Sequence, residues 1–449
     1  MMETEEISLE TPEKSETLAY KVEERAERRR LLTAVKNLPA KRWVAIGEVL
    51  FLTLLFLLNF WLLSSFFGQE DKTNTFSAPL IPFLTQLTSF LIPFPQGIRF
   101  WTLTFLMILP LSFYFFVREI SGRKMAAVVA ALTVSLPVGV FLSLRTEEAL
   151  TGDGALVSSL TLTLLTCLIL LNSLRKGNFN AMVGSGLGVT LVALTSPLGL
   201  ATFLVFALTV TFSEMLLSQA RVKLLRFLTV IVLAAGLSAF WYNPRFALLI
   251  LGSSQGEVLT RTLTTLLPLS FFLVPTLGIF GFLLFENRPQ LQPLFLALFL
   301  TVAFGIFSLT ANIAFVSSSR FLPAFGIAGA FLIGIVTVFL YDFLRFSPRL
   351  ERLKFSFPLR QLLALGLLGV VFVLLIIAIV SNGSSFRELG DLKILGATAN
   401  QKIGIWEIKE KTTLAEKIFG YLITGLTCLG VAILRTKLDS TNVSNRKQR

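Results

Sequence analysis

Residues 44–67 read VAIGEVLFLTLLFLLNFWLLSSFF, and residues 362–380 read LLALGLLGVVFVLLIIAIV. Runs of about twenty apolar residues, at 1.5 Å of rise per residue, match the thickness of a bilayer hydrocarbon core. A third run, Ile98–Val117, has the same character, and more of the kind recur along the 449 residues. Only helices or closed barrels satisfy their own backbone groups in lipid. The ten-residue alternating segments of a barrel are absent from the sequence, so the spans are helical. The chain is 54% hydrophobic and 15% charged, against about a quarter charged in soluble domains. The expected fold is therefore an all-α polytopic membrane protein. About twelve spans are placed near 43–67, 98–117, 125–144, 155–174, 180–195, 198–217, 225–242, 264–285, 291–312, 321–344, 361–380 and 418–434. The first run is too long for a signal-peptide apolar region and no small-residue cleavage site follows it, so it reads as an anchor.

Charge gives the orientation. With the amino terminus inside, the short inner loops carry fourteen Lys and Arg residues, among them Arg118, Arg123, Lys124, Arg175, Lys176, Arg221, Lys223 and Arg226. The short outer loops carry six: Lys72, Arg99, Arg145, Arg245, Arg261 and Arg320. That asymmetry follows the positive-inside rule and puts both termini in the cytoplasm of a cell-membrane protein. It also accounts for most of the +13 net charge, so the charge is no sign of nucleic acid as a partner. Ser77–Pro95 is apolar enough to span but contains Pro79, Pro82, Pro93 and Pro95. A crossing there would place every later basic loop outside, so the segment is expected to form helices lying on the outer surface.

The chain divides into a charged cytoplasmic tail (1–42), a transmembrane bundle (43–380) with the surface helices at 77–95, an outer loop (381–417), and a last span with a basic tail (418–449). The first tail mixes nine acidic with nine basic residues and suits a solvated helix whose basic end rests on anionic lipid. In the outer loop, Lys402–Thr413 alternates in the manner of a short strand pair, and Asn382-Gly383-Ser384 reads as a turn that also fits a glycosylation sequon. Cys167 and Cys428 each fall inside a span and suggest neither a disulfide nor a zinc site. There is no histidine, which removes His-based nucleophile triads and His-ligated metals.

Chemistry is left to carboxylates, Lys and Arg. Glu48 is the deepest acid, but at its depth it reaches the inner interface or pairs with Lys41 or Arg42. Glu214 and Asp342 sit at inner helix ends and read as ordinary interface residues. Two outer loops are more informative. Glu70-Asp71 follows the first span, and Glu147, Glu148 and Asp153 precede the fourth. Paired carboxylates hold a divalent cation through oxygen ligands, or one serves as general base toward a hydroxyl. Arg320, behind the run Ser317-Ser318-Ser319, suits a phosphate ligand through its guanidinium fork, and equally an interface anchor. Arg245, at the end of Trp241-Tyr242-Asn243-Pro244, is a second candidate for an anionic group.

These features together resemble the GT-C superfamily of membrane glycosyltransferases. The likeness is to the bacterial and archaeal membrane proteins carrying the 6-pyruvoyl-tetrahydropterin synthase-related domain, and to oligosaccharyltransferase- and mannosyltransferase-like relatives. It covers roughly 43–345. It rests on Glu70-Asp71, the proline-rich 77–95, Arg118–Lys124 leading to Ser135-Leu136-Pro137, the acids at 147–153, the break at Thr195-Ser196-Pro197, and Ala239–Pro244. The resemblance implies a GT-C-like bundle that moves a sugar from a polyprenyl-phosphate donor in the membrane to a glycan, lipid or protein acceptor outside. Asp71 would be the catalytic base with Glu70 as alternate. Glu147, Glu148 or Asp153 would bind the acceptor or a metal (Mg or Mn, through Asp71 and Glu148), and Arg320 or Arg245 would contact the lipid phosphate. The adjacent Glu-Asp pair differs from the one-residue spacing of many relatives, and the histidine common near their acceptor side is missing.

Two other readings compete. A secondary transporter of the major facilitator type also has about twelve spans, and Arg118–Lys124 faintly resembles its loop motif, but no long central loop divides two halves. A non-catalytic membrane scaffold is the third.

Overall fold

The computed structural model describes residues 44–64, 78–91, 97–135, 154–243, 289–310, 321–346 and 412–447, with single positions at 245–248 and 363–373. The chain forms two compact units, Met1–Leu57 and Leu58–Arg449. Every regular element among the described residues is a helix. In chain order these are α1 (Val44–Leu63), α2 (Leu80–Leu91), α3 (Gly97–Ser121), α4 (Lys124–Val134), α5 (Gly154–Lys176) and α6 (Phe179–Thr195). They continue with α7 (Pro197–Leu217), α8 (Ala220–Ser238), α9 (Gln292–Thr310), α10 (Leu322–Phe346) and α11 (Leu414–Lys447). Among the described residues, six helices, α1, α3, α5, α7, α10 and α11, are long and apolar enough to cross a membrane. The apolar helices α2, α4 and α6, and the apolar stretch Gln292–Gly305 of α9, are shorter. The alternating segment before Thr412 lies outside the described residues.

Three tight turns gather one end of the bundle. Gly122 and Gly177, each at φ 63°, end α3 and α5, and Gln219 at φ 49° joins α7 to α8. Gly122 and Gly177 donate backbone hydrogen bonds back to Arg118 and Ser173, at 2.9 and 2.8 Å, which is the left-handed residue that closes a helix C-terminus. This end carries Arg118, Arg123, Lys124, Arg175, Lys176, Arg221, Lys223 and Arg226, and is called here the basic end. The opposite end is marked by Ser196. Its hydroxyl accepts from Gly199 N at 3.2 Å, and Pro197 follows at the first helical position, a serine cap with the proline where no donor is needed.

Helix α5 packs against α3, α6 and α7, burying Val157, Leu160, Leu164, Cys167, Leu170 and Leu174. An aromatic chain links four other elements' faces. Phe116 of α3 meets Phe331 of α10 at 5.9 Å and Phe206 of α7 at 6.5 Å, and Phe206 meets Phe304 of α9 at 5.1 Å. Where helices come closest the residues are small, as packing in lipid requires. A Cβ on Gly334 of α10 would lie 2.6 Å from the Ala126 carbonyl of α4.

Helix α2 is tied to the Ser196 end at both of its own ends. Just before it, Ala78 N donates to Thr195 O at 3.1 Å, and near its close Thr88 Oγ1 accepts from the Trp101 indole at 3.2 Å. Its twelve residues span about 18 Å, well short of a hydrocarbon core of about 30 Å.

Helix α11 rests on α8 through Gly420, Thr424 and Thr427. Thr424 Oγ1 accepts from Phe240 N at 3.0 Å and donates to Gly236 O at 3.1 Å, so a side chain of α11 satisfies backbone groups at the end of α8. Thr424→Val should cost about 1 kcal/mol, the scale of an interhelical hydrogen bond in a membrane. Gly420→Leu should cost more, because its side chain would enter the Ala239 carbonyl 2.5 Å from the Cβ position. Reversible unfolding in mixed micelles measures both, and equal stabilities for the two variants would count against this packing.

Candidate functional site

The Ser196 end is where the acidic loops attach. Leu62 and Leu63 of α1, Leu103, Leu106 and Met107 of α3, and Val157 of α5 form one buried cluster. The chain therefore leaves toward Glu70 and Asp71 from the place where it returns from Glu147, Glu148 and Asp153. Asp153 immediately precedes α5, and Asp71 is eight residues past Leu63, a reach of up to about 28 Å for extended chain. Glu70, Asp71, Glu147, Glu148, Asp153 and Arg320 themselves lie outside the described residues. Among the described residues, no three His, Cys, Asp or Glu side chains group to hold a metal ion.

Arg245 is described at this end. Its Nε lies 3.5 Å from Glu416 Oε1, with side chains 56% and 29% exposed. Glu416 also accepts from Thr413 N at 2.8 Å, a capping-box pattern at the start of α11. The Arg245 guanidinium thus has an intramolecular carboxylate beside it and a face still open to water or a headgroup. Tyr242 OH donates to Ala193 O at 2.7 Å, and Asn243 Oδ1 accepts from Phe246 N at 2.7 Å. Ala239–Asn243 is therefore a hydrogen-bonded helix stop.

Between α1 and α4, Asn59 Nδ2 donates to Ser135 Oγ at 3.1 Å. Both side chains are fully buried, and Ser135 donates onward to Ala131 O at 2.9 Å. This pair joins the apolar run quoted first to the Ser135-Leu136-Pro137 stretch. Sequence reasoning passed over Asn59, although a lone Asn in a spanning run was the signal, and it noted Ser135 only as part of Ser135-Leu136-Pro137.

The densest polar arrangement is at the basic end, around Glu214 of α7. Its side chain is 2% exposed. Arg175 of α5 donates to Oε1 through Nε at 2.9 Å and Nη2 at 2.8 Å. Gln292 of α9 donates to the same oxygen at 3.0 Å. Lys223 Nζ of α8 reaches Oε2 at 3.1 Å and the Glu214 backbone carbonyl at 2.7 Å. Arg175 also faces Glu119 of α3 at 3.5 Å. Glu214 lies one turn from the end of α7, where the helix dipole disfavours an anion. The tight turn at Gln219 brings Lys223 back to compensate. Arg226 of α8 likewise caps α5, donating to Leu174 O at 2.6 Å. Nearby, Arg123 pairs with Asp342 of α10 at 3.2 Å.

Glu214, read from sequence as an ordinary interface acid, is the anchor of a network reaching five helices. The signal was present in Glu214 and Lys223, opposite charges nine residues apart across a helix break. Each oxygen of its carboxylate is bonded, so the arrangement fixes helices and does not present a base to a substrate.

Compared with known proteins, the chain matches no family model, no curated protein and no solved structure. Fold and composition define the class: an all-helical, multi-pass membrane protein. A sharper consequence concerns Glu214. Removing one member of a buried ion pair strands the other, at a cost of about 3–5 kcal/mol. Glu214→Ala should lose that much, and Glu214→Ala with Lys223→Met should recover part of it. Denaturant titration in micelles reads the difference, and a loss below about 1 kcal/mol would show the network to be dispensable.

Proposed function

We propose that the protein is a GT-C-like membrane glycosyltransferase that moves a sugar from a polyprenyl-phosphate carrier to an acceptor on the non-cytoplasmic face. The observation that supports it most is the common root of the two acidic loops, at the Leu62–Leu63–Val157 cluster. That root lies at the end opposite the Arg- and Lys-rich turns. By the positive-inside rule, the basic end faces the cytoplasm and the acids face outward.

The same reading gives twelve crossings. Arg245 lies at the Ser196 end and Gln292 at the basic end, and the sequence between them holds the apolar run near 264–285. Asp342 lies at the basic end and Glu416 at the other, and the sequence between them holds the apolar run at 362–380. The proposed twelve crossings are these two runs with α1 and α3–α11, the 11-residue α4 being counted with the longer apolar sequence run 125–144 that it begins, and this count would return both termini to the cytoplasm.

The transfer would run as a displacement. The acceptor hydroxyl gives its proton to the Asp71 carboxylate, with Glu70 as alternate, while its oxygen bonds to the anomeric carbon. The bond from that carbon to the carrier phosphate breaks, and the phosphate keeps the electron pair. Arg320 or Arg245 would offset the charge on that phosphate. Glu147, Glu148 and Asp153 would orient the acceptor, and Asp71 with Glu148 are the acids suited to Mg or Mn.

Asp71→Asn and the triple change Glu147→Gln, Glu148→Gln, Asp153→Asn should each lower transfer in membranes by about a hundredfold or more, the scale of general-base loss. Extraction and thermal stability should not change. Loss of solute flux with intact transfer would favour a transporter, and no loss of either a scaffold. Impermeant labelling of a cysteine at position 71 from the cytoplasmic side alone would end the proposal.

A further inference from the structure

Helix α8 has two faces, and its first two cations fall on opposite ones. Lys223, Phe227, Val230, Ala234 and Ser238 recur every three or four residues and are buried. On that face Lys223 is committed to Glu214. Arg221, Leu225, Leu228 and Val232 recur at the same spacing on the other side. All four are exposed, the three apolar ones at 57%, 48% and 70%. The next position of the stripe is Gly236, where Thr427 of α11 stands in the place a Cβ would take. Helix α11 thus closes the stripe at Gly236 and leaves it open from Val232 down to Arg221. Between those two residues the helix rises about 16 Å, roughly half of a hydrocarbon core of about 30 Å. The open stretch has the depth of one leaflet, with its cation at the headgroup edge.

Charge decides which lipid suits it. The described carboxylates of α3, α7 and α10 at the basic end are Glu119, Glu214 and Asp342, and each already faces a cation. Arg226 is committed as well. It donates to Leu174 O, with its guanidinium over Gly177, and so ties the first turns of α8 to the end of α5. Arg221, and Lys176 at the end of α5, remain exposed. Among the described residues no carboxylate pairs with either. Two uncompensated cations beside an open apolar stripe call for an anion that carries its own hydrocarbon. A zwitterionic lipid brings a compensating cation of its own, whereas an anionic one gains about fivefold in binding for each Lys or Arg at the surface.

We infer that the Arg221–Leu225–Leu228–Val232 stripe of α8 is the seat of an anionic phospholipid in the leaflet at the basic end. Its phosphate lies at Arg221 and Lys176, and an acyl chain runs along Leu225, Leu228 and Val232. The inference rests on one face of α8 and stands whether or not the transferase reading holds.

Quenching of a site-specific fluorophore tests it. In the full chain with Cys167→Ser and Cys428→Ser, Leu228→Cys carries a bimane. The protein is reconstituted in phosphatidylcholine vesicles. Phosphatidylglycerol or phosphatidylcholine bearing a nitroxide on its acyl chain is then added in increasing mole fraction. The phosphatidylglycerol probe should quench at a mole fraction roughly twentyfold lower. Arg221→Gln and Lys176→Gln should each reduce that preference about fivefold, and Arg221→Lys should keep it. A bimane on Val302→Cys, an exposed position of α9, should show no comparable preference. Equal quenching by the two probes at Leu228 would mean ordinary solvation by bulk lipid. A preference that survives both changes to Gln would place the charge elsewhere. Protection from both probes would give the face to protein, whether a second copy or another part of this chain. Each of these three results overturns the inference.

Discussion

Hydrocarbon offers no hydrogen bonds, and nearly everything specific in this bundle follows from that. Hydroxyls inside the helices turn back to the carbonyl one turn earlier, as Thr133 does to Val129 at 2.7 Å, Ser185 to Ala181 at 2.7 Å and Thr209 to Val205 at 2.7 Å. A side chain that finds its partner within its own helix makes no demand on its neighbours. Those that also reach a neighbouring helix define the tertiary contacts: Asn59 with Ser135, Thr424 with the end of α8, and above all Glu214. An anion at 2% exposure requires cations and donors brought to it. The helices that supply them, α5, α8 and α9, are thereby fixed against α7.

The two ends of the bundle solve this problem differently. At the basic end, tight turns hold helix C-termini close together, and cations satisfy both the orphan carbonyls and Glu214. Lys223 and Arg226 each do so for a neighbouring helix. That end is closed by its own side chains. At the Ser196 end the turn between α6 and α7 is capped by one serine, α2 is tied down through Ala78 and Thr88, and the helices that flank the acid-bearing loops meet. The site proposed for the acceptor and the lipid-linked donor falls at this second end.

Much of the fold was legible because lipid imposes a length. Runs near twenty residues and the basic turns between them can be read in one dimension, and so can the break at Thr195-Ser196-Pro197, which falls at Ser196. The prolines of 77–95 set that segment apart for a similarly local reason, since proline removes donors and limits the helix that forms. What could not be read was pairing at a distance. Asn59 and Ser135 lie 76 residues apart, and Glu214 meets Gln292 across 78. Nothing in either local pattern names the other. Glu214 looked ordinary because its position near a helix end suggested water, whereas the short turn into α8 folds Lys223 over it and shuts water out. The acids at 70–71 and 147–153 were nominated by loop position alone, and the described helices bear on them only through where those loops are rooted.

The placement of polar groups also bears on the choice between moving a solute and modifying one. A transporter that alternates access holds its substrate near the midplane, where broken helices expose backbone and polar side chains to a passage. Asn59 and Ser135 come nearest to that description, yet they are bonded to each other and, through Ser135, to the α4 backbone, with both fully buried. The charged groups described within the helices gather around Glu214 at the basic end, with a second pair, Arg245 and Glu416, at the other. Lipid-exposed surface, by contrast, is extensive along α8 and α11, with Leu225, Leu228 and Val232 open beside Leu426 and Leu429. Several buried polar atoms, Thr163 Oγ1, Ser173 Oγ, Thr211 Oγ1 and Asn243 Nδ2 among them, have no hydrogen-bond partner among the described residues, so the transferase reading rests on acid-bearing loops rooted at one end of the bundle and not on a fully satisfied interior.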